Sequence, residues 1–235
     1  MIFTISSKDR SGGLTTSSSN FTVNLPLTIK AKKLSLLELD LPNSIYNVDS
    51  TNNILPINDG TTNINVVITP GAYSITNLVN QIQTQLNTSS TGFSVSYSSN
   101  TMQVTISRSS NFYLRFGSVS GNISYLIGFS NSNTTSNTSF TGTNVIILNS
   151  PMSIYLRLND FINGYTTNGL QYSFRQTICV NPGNIIIDEK INLKPYTLEL
   201  ENERSFQTMN ISLFKSDGTP LNLNGSDFEI VLKIE

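Results

Sequence analysis

About 90 of the 235 residues are Ser, Thr or Asn, and no other feature of the chain constrains its fold as strongly. These side chains compete with the backbone for its own hydrogen bonds, which weakens helices and favours turns and caps. What remains to fill an interior is mostly Ile, Val, Leu, Phe and Tyr, residues suited to strands. With 37% apolar residues the chain can still bury a core. Composition therefore predicts an all-β sandwich or barrel with long polar loops.

Absences narrow the chemistry. There is no histidine, no tryptophan and a single cysteine, Cys179. Imidazole is thereby removed as acid, base and metal ligand, together with Cys/His zinc sites and any intrachain disulfide. A net charge of -1 supplies no electrostatic footprint, so nucleic acid is not expected as the main ligand. No charged-then-apolar leader opens the chain, and no apolar run approaches the roughly 20 residues of a membrane span. The expectation is a soluble protein without a membrane span or a visible secretion signal.

Residues 6–20 are polar, contain Gly12-Gly13 and show no usable period, so 1–20 reads as an N-terminal arm in which only Ile2, Phe3 and Ile5 could pack. Such an arm should matter for assembly and little for folding. Phe21, Val23 and Leu25 then alternate, and 34–41 is mostly apolar with Glu38 and Asp40 interleaved, as in strands. Asn58-Asp59-Gly60 is a turn ahead of Ile64, Val66 and Ile68. After Pro70-Gly71, Ser74 can cap a helix over about 74–86, with Ile75, Leu78, Val79, Ile82 and Leu86 at helical spacing. Phe93, Val95 and Tyr97, a turn at Ser99-Asn100, then Met102, Val104 and Ile106 form a hairpin pattern. Residues 125–129 read as an apolar plug and 130–142 as a low-complexity loop anchored by Phe140. Strand patterns resume at 145–148, 154–156, 172–178, 185–187, 197–200, 209–214 and 228–234.

Few clusters carry chemistry. Glu199, Glu201 and Glu203 would project from one face of a strand, with Asp188 and Glu189 upstream. Glycoside hydrolysis or calcium binding would use such groups, but a same-strand ladder lacks a converging partner, so a solvated face is expected. Lys30, Lys32 and Lys33 read as protection of an edge strand. Asp217-Gly218 does not continue as an EF-hand and reads as a tight turn. Cys179 reads as a small core residue. No catalytic, cofactor-binding or metal residues are assigned, and no cofactor is expected. From the residues alone the chain is a β-rich scaffold or binding protein.

Four stretches carry a family likeness: Ser7 to Arg10 followed by Phe21 to Leu25; LELDLPNSIYNV at 37–48 with Asn52-Asn53 behind it; PGAYSITNLVNQIQTQL at 70–86 with its hairpin and Leu126-Ile127-Gly128-Phe129; and the tail 211–235. Together they resemble the penton, or minor capsid, proteins of polinton-like viruses, virophages and related double-jelly-roll-capsid DNA viruses. The resemblance implies a single jelly-roll β-sandwich with a small insertion holding the short helix. The implied organisation is an arm at 1–20, a jelly roll from 21–53 and 131–235, and a helix-containing insertion at 54–130. It further implies a non-enzymatic homopentamer at the five-fold vertices of the virion, made in the infected host cell and in contact with major capsid protein capsomers. The expected assembly interface includes Lys8, Asp9, Arg10, Phe161 and Tyr165, with Phe112 and Tyr113 as further aromatic candidates. The competing expectation is a glycan-binding, lectin-like or host-attachment sandwich, which tyrosines exposed in its polar loops would favour.

Overall fold

The computed structural model describes residues 1–13, 17–42, 44–148, 151–159, 161–179, 185–187 and 196–235; of residues 151, 152, 177–179 and 185–187 it describes the backbone. The chain divides into two units, each with its own core: Met1–Ile45 with Ser150–Glu235, and the intervening Tyr46–Asn149.

The first unit is built from β1 (Ile2–Ser6) and β2 (Asn20–Pro42), then, beyond the second unit, β8 (Pro151–Leu158), β9 (Gly164–Tyr165), β10 (Gln171–Tyr172), β11 (Phe174–Cys179), β12 (Ile185–Ile187), β13 (Tyr196–Phe214) and β14 (Glu229–Ile234). At 23 residues β2 would run roughly 75 Å if straight, far longer than a sandwich strand, so it must serve two sheets in turn. Its burial records the passage. Phe21, Val23, Leu25, Ile29 and Ala31 face inward, the phase shifts to Leu34 and Leu36, and shifts again to Leu39 and Leu41. The second shift coincides with a bulge against β14, where Val231 faces Glu38 and Leu232 faces Leu36, leaving Leu37 as the extra residue. Pro26 falls in another irregularity, between the pairs Thr208↔Asn24 and Phe206↔Ile29, where no ladder bond is lost to its missing N–H.

With β2 and β13 each counted as two stretches, the pairing is nested. β1 pairs with β14. Residues 20–31 of β2 pair with 204–212 of β13. Residues 33–42 of β2 pair with β12 and with 196–199 of β13, and β8 pairs with β11. First with last, second with next to last, and so inward, is a long antiparallel hairpin rolled up, which is the jelly roll. One sheet runs β1, β14, the second half of β2, then β12 and the start of β13; the other runs the first half of β2, the second half of β13, β8 and β11. Their inward residues, among them Phe21, Leu36, Leu39, Leu156, Phe174, Leu213 and Leu232, join one core. The fold class is thus all-β, as the composition implied.

The second unit carries β3 (Ile54–Asn58), β4 (Asn63–Val67), α1 (Ile75–Ser89), β5 (Phe93–Ser98), β6 (Gln103–Leu114) and β7 (Asn137–Thr141). Its sheet runs β4, β3, β6, β5, with β7 also on β6. The helix starts where Ser74 Oγ accepts the Asn77 N–H, and it buries Leu78, Val79, Ile82 and Leu86. Gly128 anchors the apolar turn. At φ 79° a Cβ there would stand 2.2 Å from the Asn144 carbonyl oxygen.

Four expectations need correction. Residues 2–6 are no free arm but a sheet strand, because alternate residues Phe3 and Ile5 turn toward the core while backbone bonds tie Met1 and Ser7 to Ile234 and Phe228. The insertion spans 46–149 rather than 54–130, since Val48, Ile146 and Leu148 pack in its core. Within the polar loop at 130–142, residues 137–141 form a strand, its outer positions polar and its one apolar residue, Phe140, set edge-on to Phe112 at 5.0 Å. Residues 145–148 are buried in part but form no strand.

Candidate functional site

The segment Ser7–Asp9, a single 3-10 turn after β1, places neighbouring side chains in opposite environments. Lys8 and Asp9 are exposed, whereas Ser7 is fully buried and Arg10 is 6% exposed. Arg10 Nη1 donates to Asp227 Oδ1 and to the Ser7 carbonyl, each at 2.5 Å. Ser7 Oγ donates to the same Asp227 oxygen at 2.8 Å and accepts the Phe228 N–H at 3.0 Å. The Ser7 hydroxyl, followed by Arg10, holds the Asp227 carboxyl below its ordinary range. Arg10 is therefore an internal tie between the turn after β1 and the segment that leads into β14.

The aromatic pair divides in the same way. Phe161 is 3% exposed, with its ring 5.2 Å from that of Phe206 and the Arg204 guanidinium 5.9 Å from its centre. Phe112 is fully buried between Phe93 and Phe140, both at 5.0 Å. Tyr113 is partly buried. Tyr165 is 66% exposed at the β9–β10 hairpin. Of the expected interface residues, Lys8, Asp9 and Tyr165 have side chains at the surface. They belong to different elements: the first two lie in the turn after β1, and Tyr165 lies in the hairpin that precedes β11.

The carboxylate ladder and the lysine cluster turn out to be partners. Lys33 Nζ lies 4.0 Å from Glu199 and Lys30 Nζ 3.9 Å from Glu203, across the β2–β13 ladder. Lys30 lies on the first half of β2, the outer strand of its sheet, as edge protection requires, whereas Lys33 lies between β13 and Glu235; both also neutralise the strand opposite. Such exposed pairs contribute about 0–1 kcal/mol each. Among the described residues, no three His, Cys, Asp or Glu side chains are placed to hold a metal ion. Asp188, Glu189 and the side chain of Cys179 lie outside the described residues. A cavity of about 390 Å³ opens beside Glu199, Glu201 and Arg204. Its acidic and basic groups belong to the outer face of one strand and do not converge on a reacting atom.

Asp227 as the partner of Arg10 carries no local signal, since the two are 217 residues apart. The exposed tyrosines are likewise invisible to periodicity. Tyr125 is 76% exposed at the start of the apolar stretch 125–129, and Tyr46 and Tyr196 are also exposed. Among the described residues no helix is long and apolar enough to cross a membrane.

No family model matches the chain, and no curated protein matches it. Among solved structures, the selenomethionine-labelled mavirus penton protein is similar over 100% of this chain and 99% of that one, at 11% identity and a TM-score of 0.47. At that level of superposition the weight of a functional reading falls on strand pairing and sequence motifs.

Proposed function

We propose that this chain is a structural capsid protein, a penton that forms homopentamers at icosahedral five-fold vertices, makes contact with major capsid protein capsomers and performs no catalysis. The observation that carries the reading is the nested strand pairing of the first unit, which rolls two sheets around one core and admits the second unit between β2 and β8. The motifs at 37–48, 70–86 and 211–235 support it from the sequence side. A five-fold ring closes through heterologous contacts, different faces meeting at each joint. A net charge of -1 leaves little long-range repulsion to oppose association. Native mass spectrometry across a concentration series should show monomer giving way to pentamer. A two-fold dimer as the sole oligomer would contradict the reading.

A glycan-binding role is the second reading, and the exposure of Tyr125 and Tyr165 is what favours it, since an exposed aromatic face can stack on a sugar ring. Binding of the isolated protein to a glycan array, abolished by Tyr125→Ala, would move the weight there.

A further inference from the structure

The fold treats its strand edges unequally. The free side of β5 is covered from above by α1: Asn87 Oδ1 accepts the Phe93 N–H while Asn87 Nδ2 donates to the Phe93 carbonyl, both at 2.9 Å, and Gln83 Oε1 accepts the Val95 N–H at 2.8 Å. β7 presents Asn, Thr and Ser outward. The strand β1, with sequence IFTIS, carries no charged side chain, no proline and no bulge in its pairing with β14.

Its ladder fixes which groups are left over. Met1 and Ile234 exchange both backbone bonds, at 2.7 and 2.8 Å, and Ser7 N–H donates to Phe228. In an antiparallel pair, hydrogen-bonded positions alternate with ones whose N–H and C=O point the other way. The odd residues of β1 thus face β14, and Ile2, Thr4 and Ser6 direct three N–H and three C=O groups to the outer side, where no strand lies among the described residues. Ile2 and Thr4 are exposed, Ile2 at 62%.

We propose that the outer edge of β1 is a strand-acceptor site, at which an extended segment of a neighbouring shell subunit adds to the sheet. The strand addition stands on the edge itself; the source of the segment rests on the capsid reading. The incoming chain is about five residues long, apolar beside Ile2, and neutral or basic at the other end, where Ser6, Glu229 and Asp40 form a row across three strands.

Residue-resolved hydrogen exchange tests it. In the isolated chain the amides of Ile2, Thr4 and Ser6 should exchange freely while those of Phe3 and Ile5 are protected, and in assembled particles the first three should slow by about a hundredfold. Thr4→Pro removes an outward donor and no bond to β14, so it should leave the melting temperature of the free chain within about 2 °C of wild type and reduce incorporation at least about tenfold. Thr4→Lys, which keeps the N–H but adds a charge, should also reduce incorporation. Free exchange of the three amides in particles, or normal incorporation of Thr4→Pro, overturns the proposal. If the wild-type chain itself is absent from particles, the capsid reading falls. The edge is then decided by the isolated chain with a nine-residue peptide of alternating valine and threonine bearing a lysine at each end. Protection of the three amides upholds the acceptor site, and unchanged exchange refutes it.

Discussion

Three aspartates use one local device. Asp49, Asp59 and Asp217 each accept both the N–H and the hydroxyl of a threonine two residues on, Thr51, Thr61 and Thr219, so that an Asp-x-Thr triplet closes its own turn. At Asp59 the Thr62 N–H, then the Thr61 hydroxyl and N–H, push the carboxyl far below its usual range; at Asp217 the Thr219 hydroxyl does so first. Asp59, Asp217 and Asp227 thus hold protons less tightly folded than unfolded. Their contribution to stability is complete above about pH 4, the unfolded aspartate value, and is lost as pH falls through the lower folded values. No histidine titrates above them. The melting temperature should therefore stay within about 2 °C between pH 5 and 7.5 and fall steeply below pH 4. A transition near pH 6 would contradict this. Glycine supplies a second test at the same scale. Gly128→Ala meets backbone at 2.2 Å and should cost at least about 3 kcal/mol in denaturant unfolding. Gly225→Ala, at φ 81° in open space, should cost about 1 kcal/mol. Equal costs would show that the contact with Asn144 does not constrain the turn.

Elements with strong period were readable in advance, and those fixed by distant partners were not. The helix sits at 75–89 because its apolar stripe and its Ser74 cap are both local. The β5–β6 hairpin is also local, with Phe93 to Ser98 facing Arg108 to Gln103. By contrast, β7 is almost wholly polar and becomes a strand by pairing with β6 across a gap of more than twenty residues. Likewise β1 is short, and its partner lies at the far end of the chain. The bends of β2 are present in the sequence as phase shifts, yet the composition hides them because Leu occupies both faces from 34 to 41. The consequence for β1 is specific. Deleting residues 1–10 removes five paired residues, buried Ile5 and the Arg10 tie to Asp227, so the cost is about 3–5 kcal/mol rather than the small loss expected of an arm. At roughly 2–4 °C per kcal/mol the melting temperature should fall by about 10 °C, measurable by calorimetry; a fall under about 3 °C would restore the arm.

At the scale of the molecule, the jelly roll follows from nested pairing, a property of order along the chain that no single segment displays. Of the candidate residues, exposure was legible only in part: Lys8, Asp9 and Tyr165 lie at the surface, while Arg10 and Phe161 are drawn inward by Asp227 and Phe206, partners that local patterns do not reveal. The central claim concerns where the chain resides in a particle, and imaging particles by cryo-microscopy with this chain labelled tests it most directly. The account predicts label density confined to the five-fold vertices; density spread across the facets would contradict it.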